Sequence, residues 1–296
     1  MPEHAQADFC IEIDFQRGSE SPSRVFRAMS ELIESFQAMD ATLIESIDPK
    51  IEPVTVIEDI ESGSIRAWLR YTLHSLDDTA LKDLNWKKQV GAYLVKAKYF
   101  VLSFMQEQTE ISNKQQVEQL ESQLLAIAEQ TNVTHLPTFS TVNRQRLMPN
   151  IGRVANALSH LQEQDRAIYI TQDSQTELNA RFNYVPENIE KLLTQEVITS
   201  KAIMILKVKK PDYLGESQWE FRHGTRPIDA KILDTAWLRG FQNRQYDVRP
   251  GDSLRVDVEI SVKYGYDGEV VGSRHDILKV IEILRTPPHE QLTIPD

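Results

Sequence analysis

The sequence predicts an α+β protein. A strand-helix-strand-strand unit with a following helical region comes first, and an antiparallel β-rich domain, a partly closed barrel or sandwich, comes second. Apolar and polar residues alternate without a break from residue 253 to residue 264, which indicates a half-buried strand. Apolar residues recur at three- and four-residue spacing from Val25 to Ile47, which indicates one long amphipathic helix. From Asp165 onward the pattern changes from helical to β-rich, so we expect a division there.

The N-terminal unit begins with a strand over residues 9–15, in which every second side chain is apolar. Ser21 is a favourable N-cap for the long helix, and Pro22 suits its first position, where a missing N–H costs nothing. Two further strands, residues 52–60 and 64–73, follow, and Gly63 permits the tight reversal between them. The helix is therefore expected to pack on a sheet.

Three more helices are predicted before the division. The first runs from Trp86 to about Gln108, and the second is capped by Ser112 or Asn113 and ends near Gln130. The third spans about residues 143–162, but Pro149 lies inside its first two turns, so it could instead begin at Asn150.

The chain after the division is predicted to form five or six antiparallel strands with little helix. Its final hairpin turns at Asp267 and Gly268, a pair suited to positive φ angles. We place the domain boundaries at residues 1–163 and 164–286, with residues 287–296 as a C-terminal tail. The other predicted strands of this domain are residues 167–171, 201–209, 218–222 and 227–233, and a short helix follows over residues 234–241.

Charge and cysteine content exclude several classes of protein. The chain of 296 residues has a net charge of −11, which repels a phosphate backbone, so non-specific nucleic-acid binding is not expected. The single cysteine, Cys10, excludes an intramolecular disulfide and a cysteine-rich metal site, and it fits a cytoplasmic location. The N-terminus lacks the pattern of a secretory signal.

No membrane span is expected either. The most apolar helical segment, residues 90–105, is shorter than a bilayer requires and contains Lys96 and Lys98. We expect both lysine side chains to extend along the helix to the surface.

The segment from Trp219 to Arg226 is the strongest candidate for a ligand or partner site in the second domain. An aromatic strand leads into a glycine turn that carries Arg222, His223 and Arg226, and such a turn can present cations to an acidic or phosphate group. An ordinary hairpin turn explains the same residues. Arg24 and Arg27 lie in the first turns of the long helix and form a second candidate for anion binding, although helix capping explains that sequence as well.

Candidate catalytic residues are sparse. The GxSxG, GxxxxGK[ST] and GxGxxG signatures do not occur. Asp229 and Lys231, two apart on a predicted strand, share a face, and with His223 they are the residues that an enzyme would use. His275 and Asp276 are adjacent on a strand and point to opposite faces, so they do not predict a metal site. We therefore predict no catalytic residue, no metal and no cofactor.

Four stretches carry a resemblance to known sequences: VTVIEDIESGSIRAWLR, WKKQVGAYLVKAKYF, WEFRHGTRPIDAKILDTAWL and RPGDSLRVDVEISVKYGYDGE. Together they are similar to uncharacterised bacterial proteins associated with prophage and anti-phage defence loci. The shared motifs are structural, so the resemblance implies no site residue. It implies a bacterial cytoplasmic component of such a system.

The leading hypothesis is a non-enzymatic adaptor, sensor or structural subunit that binds a protein partner or self-associates, because no convergent acid, base or nucleophile is evident. One alternative is a metal-dependent enzyme acting on nucleic acid or a nucleotide. Another is a sensor of a small anionic ligand, bound at the Arg-His turn or near Arg24.

Overall fold

The structure is a computed structural model that describes residues 7–16, 18, 21–61, 64–75, 85–266 and 268–285. Helices and two sheets are both present, which confirms the predicted α+β class. The chain forms two compact units, which meet between Leu193 and Thr194. The predicted turn residues Gly63 and Asp267 and the predicted tail, 287–296, lie outside the described residues.

The first unit contains a five-stranded antiparallel sheet in the order β2-β3-β1-β4-β5. Strand β1 lies at its centre, where Ile11 is paired with Ala67 on one side and Tyr169 on the other. All three of these residues are buried. The strands are β1 (Phe9–Asp14), β2 (Ile51–Glu61), β3 (Ile65–Ser75), β4 (Arg166–Thr171) and β5 (Gln175–Glu177).

The described part of the first unit also contains five α-helices, α1 (Ser23–Glu45), α2 (Trp86–Glu107), α3 (Lys114–Gln130), α4 (Arg144–Leu158) and α5 (Pro186–Leu193), and a short 3-10 helix, Val133–His135. Most of the apolar stripe predicted for α1 is buried, but Phe26 is 65% exposed. Helix α3 begins with a capping box in which Asn113 and Gln116 satisfy each other's backbone N–H groups. Among the described residues, no helix combines the length and the apolar character that a bilayer crossing requires.

One of two helix starts differs from its prediction. Ser21 does not cap α1 with its side chain; it has a φ of 60°, and Pro22 occupies the cap position. Helix α4 begins at Arg144, close to the predicted residue 143 and not at the alternative Asn150, because the Asn143 side chain accepts the Arg146 N–H and the helix continues through Pro149. Burial of one apolar face of α4 offsets the hydrogen bond that Pro149 cannot make.

The observed division between the units lies about 30 residues beyond the predicted boundary near residue 163. The reason is that β4 and β5 belong to the first sheet, where β4 pairs with β1 from Phe9↔Thr171 to Asp14↔Arg166. A stretch rich in β-forming residues predicts strands, but it does not predict which sheet those strands join.

The second unit is a closed five-stranded barrel in the order β10-β8-β7-β6-β9, and β9 and β10 close it. The predicted strands are present, but β8 and β10 run parallel, so the barrel is not wholly antiparallel. A helix, α6, connects β8 to β9, and with this strand order it gives the connectivity of an OB barrel. The elements are β6 (Thr194–Lys210), β7 (Trp219–His223), β8 (Arg226–Ile232), α6 (Thr235–Gln242), β9 (Ser253–Gly265) and β10 (Val270–Leu284).

The barrel core is aromatic at one end and aliphatic elsewhere. Trp219 of β7 contacts Trp237 and Phe241 of α6, with ring centroids 6.0 and 4.8 Å apart. Val256 and Val258 of β9 are fully buried, as the alternating pattern predicted. Asp234 caps α6 by accepting the Trp237 N–H, so the cap holds the helix over the barrel end.

Candidate functional site

A concave cavity of about 800 Å³ lies in the first unit between α2, β3 and the turn that joins β4 to β5. Helix α2 supplies one wall, because residues 88, 91, 92, 95, 96 and 99 lie at the three- and four-residue spacing that puts them on one face. Gly91 places no side chain on this wall, and a Cβ added there would meet nothing within 4 Å, so the space in front of it is open. The cavity is large enough for a small organic molecule.

The rim of the cavity is cationic. Lys87, Lys88 and Lys96 are exposed on α2, and Arg70 reaches the rim from β3. Arg70 pairs with Glu58, whereas Lys88 and Lys96 have no carboxylate within ion-pair distance among the described residues. Four cations against two carboxylates in the lining, Asp8 and Asp173, give the cavity a positive balance in a chain with a net charge of −11.

The inner wall combines apolar and polar groups. Val95, Phe100 and Ile127 are among the apolar lining residues. Asp8 is half-buried and accepts the backbone N–H of Tyr71 at 2.7 Å. Burial raises the pKa of the Asp8 carboxyl, and the Arg70 and Lys98 charges act in the opposite direction. The cavity therefore has polar groups at its edge and an apolar surface beside them.

Behind the cavity wall lies a buried ion pair. Lys98 Nζ is 2.6 Å from Asp40 Oδ1, and both side chains are excluded from solvent. The Tyr71 hydroxyl donates to Asp40 Oδ2 at 2.9 Å, and the Lys98 ammonium also lies over the rings of Phe9 and Tyr71, at 4.6 and 4.5 Å. Tyr71 thus connects the cavity wall to the pair.

The environment of this pair shifts both pKa values. Burial raises the pKa of Asp40 to about 6, and burial lowers the pKa of Lys98. Each partner opposes the shift of the other, but the loss of hydration is the larger effect. The expectation that Lys98 extends to the surface is therefore wrong, whereas Lys96 is exposed as expected.

The predicted Arg-His turn forms the tip of the β7–β8 hairpin. Arg222, His223 and Arg226 are exposed there, and no acidic side chain pairs with them among the described residues. Gly224 has a φ of 61°, as the first central residue of a type II′ turn requires. Arg222 lies directly opposite Lys207 of β6, and like charges in this position destabilise a sheet.

The predicted catalytic set does not share one face. Asp229 and Lys231 lie on the outer face of β8, and Asp229 is opposite Glu220, which pairs with Lys209 at 2.8 Å. His223 points to the other face of the hairpin, by strand alternation. Among the residues that the structure describes, no group of three or more His, Cys, Asp and Glu side chains could hold a metal ion.

The two arginines at the start of α1 have different environments. Arg24 is buried, and its guanidinium makes two hydrogen bonds to Asp165, from Nε at 3.1 Å and from Nη2 at 3.0 Å. It therefore fixes α1 to the segment before β4 and does not present its charge to an external anion. Arg27 is exposed on the same helix.

No pattern in the sequence was interpreted as this cavity. The signal that could have found its α2 wall is the eight-residue spacing of Lys88 and Lys96, with Gly91 and Val95 between them on the same face. No pattern within one segment reveals that Arg70 and the β4–β5 turn form the other sides. Comparison of the chain with protein-family models, curated proteins and solved structures gives no significant match.

Proposed function

We propose that the protein is a non-enzymatic sensor whose first unit binds a small phosphorylated organic anion in the cavity beside α2. One observation carries the proposal: Lys88 and Lys96 lack acidic partners within the described residues and stand at the rim of a cavity with an apolar wall. Lysine ammonium groups bind phosphate oxygens, and the apolar wall suits the rest of an organic ligand. The sequence suggested a small anionic ligand at the Arg-His turn or near Arg24, and we now place such a ligand beside α2 instead.

The proposal assigns different parts of the ligand to different walls. Phosphate groups lie at the rim, where Lys87, Lys88 and Lys96 are close to bulk water and lose little hydration. A flat or apolar group lies against Val95 and Phe100, which an inorganic anion alone would leave uncovered. We therefore expect nucleotides or aromatic phosphates to bind more tightly than pyrophosphate.

Titration calorimetry with ATP, GMP and pyrophosphate tests the assignment. Replacing Lys88 and Lys96 together with glutamine should weaken nucleotide binding at least tenfold, because each charge-assisted hydrogen bond contributes about 1.5–3 kcal/mol. The matched control replaces two lysines elsewhere in the unit, Lys114 and Lys191, which do not line the cavity. The control variant should bind as the wild type does.

Two results would overturn the proposal. One is the absence of heat and of any rise in melting temperature with all three probes at millimolar concentration. The other is an equal loss of affinity in the Lys114/Lys191 variant, which would show that net charge alone attracts the ligand.

A second candidate function rests on the tip of the β7–β8 hairpin. We infer that an adaptor would use this tip, because Lys207 and Arg222 lie directly opposite each other and neither they nor Arg226 form an ion pair among the described residues, whereas Arg255 and Arg274 on the same barrel pair with Glu282 and Asp276. The expected partner carries acidic groups. A role in bacterial cytoplasmic defence stays a prediction.

Replacing Arg222, His223 and Arg226 with alanine tests the adaptor hypothesis. Retention of a protein partner on the immobilised chain should weaken and become less dependent on salt concentration, while the melting temperature stays close to that of the wild type. Unchanged retention would mean that the tip is an ordinary turn.

A further inference from the structure

Strand β6 has one long free edge. It pairs with β9 from residue 194 to residue 207, and with β7 only from Lys207 to Lys210. Between Gln195 and Leu206, therefore, no strand among the described residues pairs with the side of β6 that faces away from β9. In this stretch β6, β9 and β10 form a three-stranded sheet with an open edge.

The free edge is largely apolar and only weakly protected. Val197, Ile203 and Ile205 are 52, 63 and 53% exposed and share the face opposite to the buried Leu206. Free edges are normally protected against pairing by proline, by charged side chains or by a bulge. The segment from Glu196 to Ile205 contains no proline and two charged residues, and its register with β9 is continuous.

We propose that a second copy of this chain pairs antiparallel with β6 along this edge, with the two-fold axis at Ser200. A two-fold axis perpendicular to the sheet places residue 197 opposite residue 203 and residue 198 opposite residue 202. Val197 then covers Ile203 twice, once on each side of the axis, and Ile198 lies against Ala202. The small Ser200 side chains meet at the axis itself.

Charge selects this register over its neighbours. The segment holds two charged side chains, Glu196 and Lys201, and Lys201 also pairs with Glu259 of β9 at 3.8 Å. In the Ser200 register, Lys201 lies opposite Thr199 and Glu196 lies opposite Met204. An axis at Lys201 places two ammonium groups side by side, and an axis at Thr199 places Lys201 against Val197, so both are disfavoured.

The result is a continuous six-stranded sheet, in the order β10-β9-β6 followed by the same three strands of the partner in reverse. The backbone N–H and C=O groups of the free edge pair with each other instead of with water, and the exposed valine and isoleucine side chains are covered. This inference concerns the second unit and does not depend on ligand binding by the first.

Light scattering coupled to gel filtration, at tens of micromolar protein, should report the mass of a dimer. Ile203→Lys should shift the protein to monomer at the same concentration, because it places a charge opposite Val197. Ile60→Lys is the matched control, since Ile60 is 62% exposed on a strand of the first unit. A monomeric wild type would overturn the proposal, as would a dimer that Ile60→Lys disrupts and Ile203→Lys does not.

Cysteine cross-linking tests the register. Ser200→Cys should form a disulfide-linked dimer under mild oxidation, because the two Cα atoms at the axis fall within the distance that a disulfide spans. Thr199→Cys should not, since it faces Lys201 of the second copy. The native Cys10 is buried, and burial raises its pKa to about 12, so it does not compete. Equal cross-linking of both variants, or none with Ser200→Cys, would refute the register.

Discussion

Lys98→Met should destabilise the first unit by about 3–5 kcal/mol, the usual cost of breaking a buried ion pair. Methionine fills most of the space of the lysine side chain, so little of this cost comes from a cavity. The main loss is that Asp40, which is fully buried, keeps only the Tyr71 hydroxyl at 2.9 Å in place of an ammonium at 2.6 Å. The attraction between the ammonium and the ring of Phe9 is lost as well.

Removing both charges should cost less than removing one. In the double variant Lys98→Met/Asp40→Leu no buried charge remains, and the chief penalty is the Tyr71 hydroxyl without its acceptor, about 1–3 kcal/mol. A double-mutant cycle should therefore give a coupling energy of several kcal/mol between residues 98 and 40.

Urea and thermal unfolding, followed by circular dichroism and tryptophan fluorescence, measure these values. For a unit of this length, about 4 kcal/mol lowers the melting temperature by roughly 8–16 °C. Lys96→Met is the matched control on the exposed face of α2, and it should change the free energy of unfolding by less than about 0.5 kcal/mol. If Lys98→Met had the melting temperature of the wild type, or if the losses in free energy of unfolding of the two single variants were additive, the ion pair would not stabilise the core.

Two further predictions follow from buried charges. The folded pKa of Asp40, about 6, exceeds its unfolded value of about 3.9, so the folded state binds this proton more tightly. The stability of the wild type relative to the Lys98→Met/Asp40→Leu variant should therefore fall as the pH rises from 4 to 6, by up to about 1.4 kcal/mol per pH unit. A difference in urea midpoints that stays constant or rises over this range would contradict this. Arg24→Met should cost about 3–5 kcal/mol because it leaves Asp165 buried without its cation, whereas Arg27→Met should cost almost nothing; equal melting temperatures for the two variants would refute the assignment of Arg24 as a structural residue.

Local sequence patterns predicted individual elements well. The alternation in β9 predicted the strand and, as far as Val258, its buried face, and Asn113 predicted the start of α3, because these features depend on residues that are close in sequence. The membership of β4 in the first sheet could not be predicted in this way. Its partner, β1, is distant in sequence, and the alternation of β4 fits either sheet.

The buried ion pair of Lys98 and Asp40 could have been predicted from the sequence. Lys98 follows Leu94 by four residues and precedes Val101 by three, so it lies on the apolar stripe of α2, and Asp40 follows Phe36 by four on the stripe of α1. Two opposite charges on two buried stripes indicate an ion pair between the helices. The cavity could not be found likewise, because its walls come from separate segments whose packing the sequence does not state.

The central position of β1 has a consequence for how the first unit forms. Phe9 pairs with Leu69 and also with Thr171, so the middle of the sheet stays incomplete until segments distant in the chain have met. Loop closure over such lengths slows folding, in contrast to the β9–β10 hairpin of the second unit, which is a local contact. During synthesis, α1 and the β2–β3 hairpin are made long before β4, and the apolar surfaces that β4 would complete stay uncovered until then. This interval is when the nascent first unit is most exposed to aggregation and most dependent on chaperones.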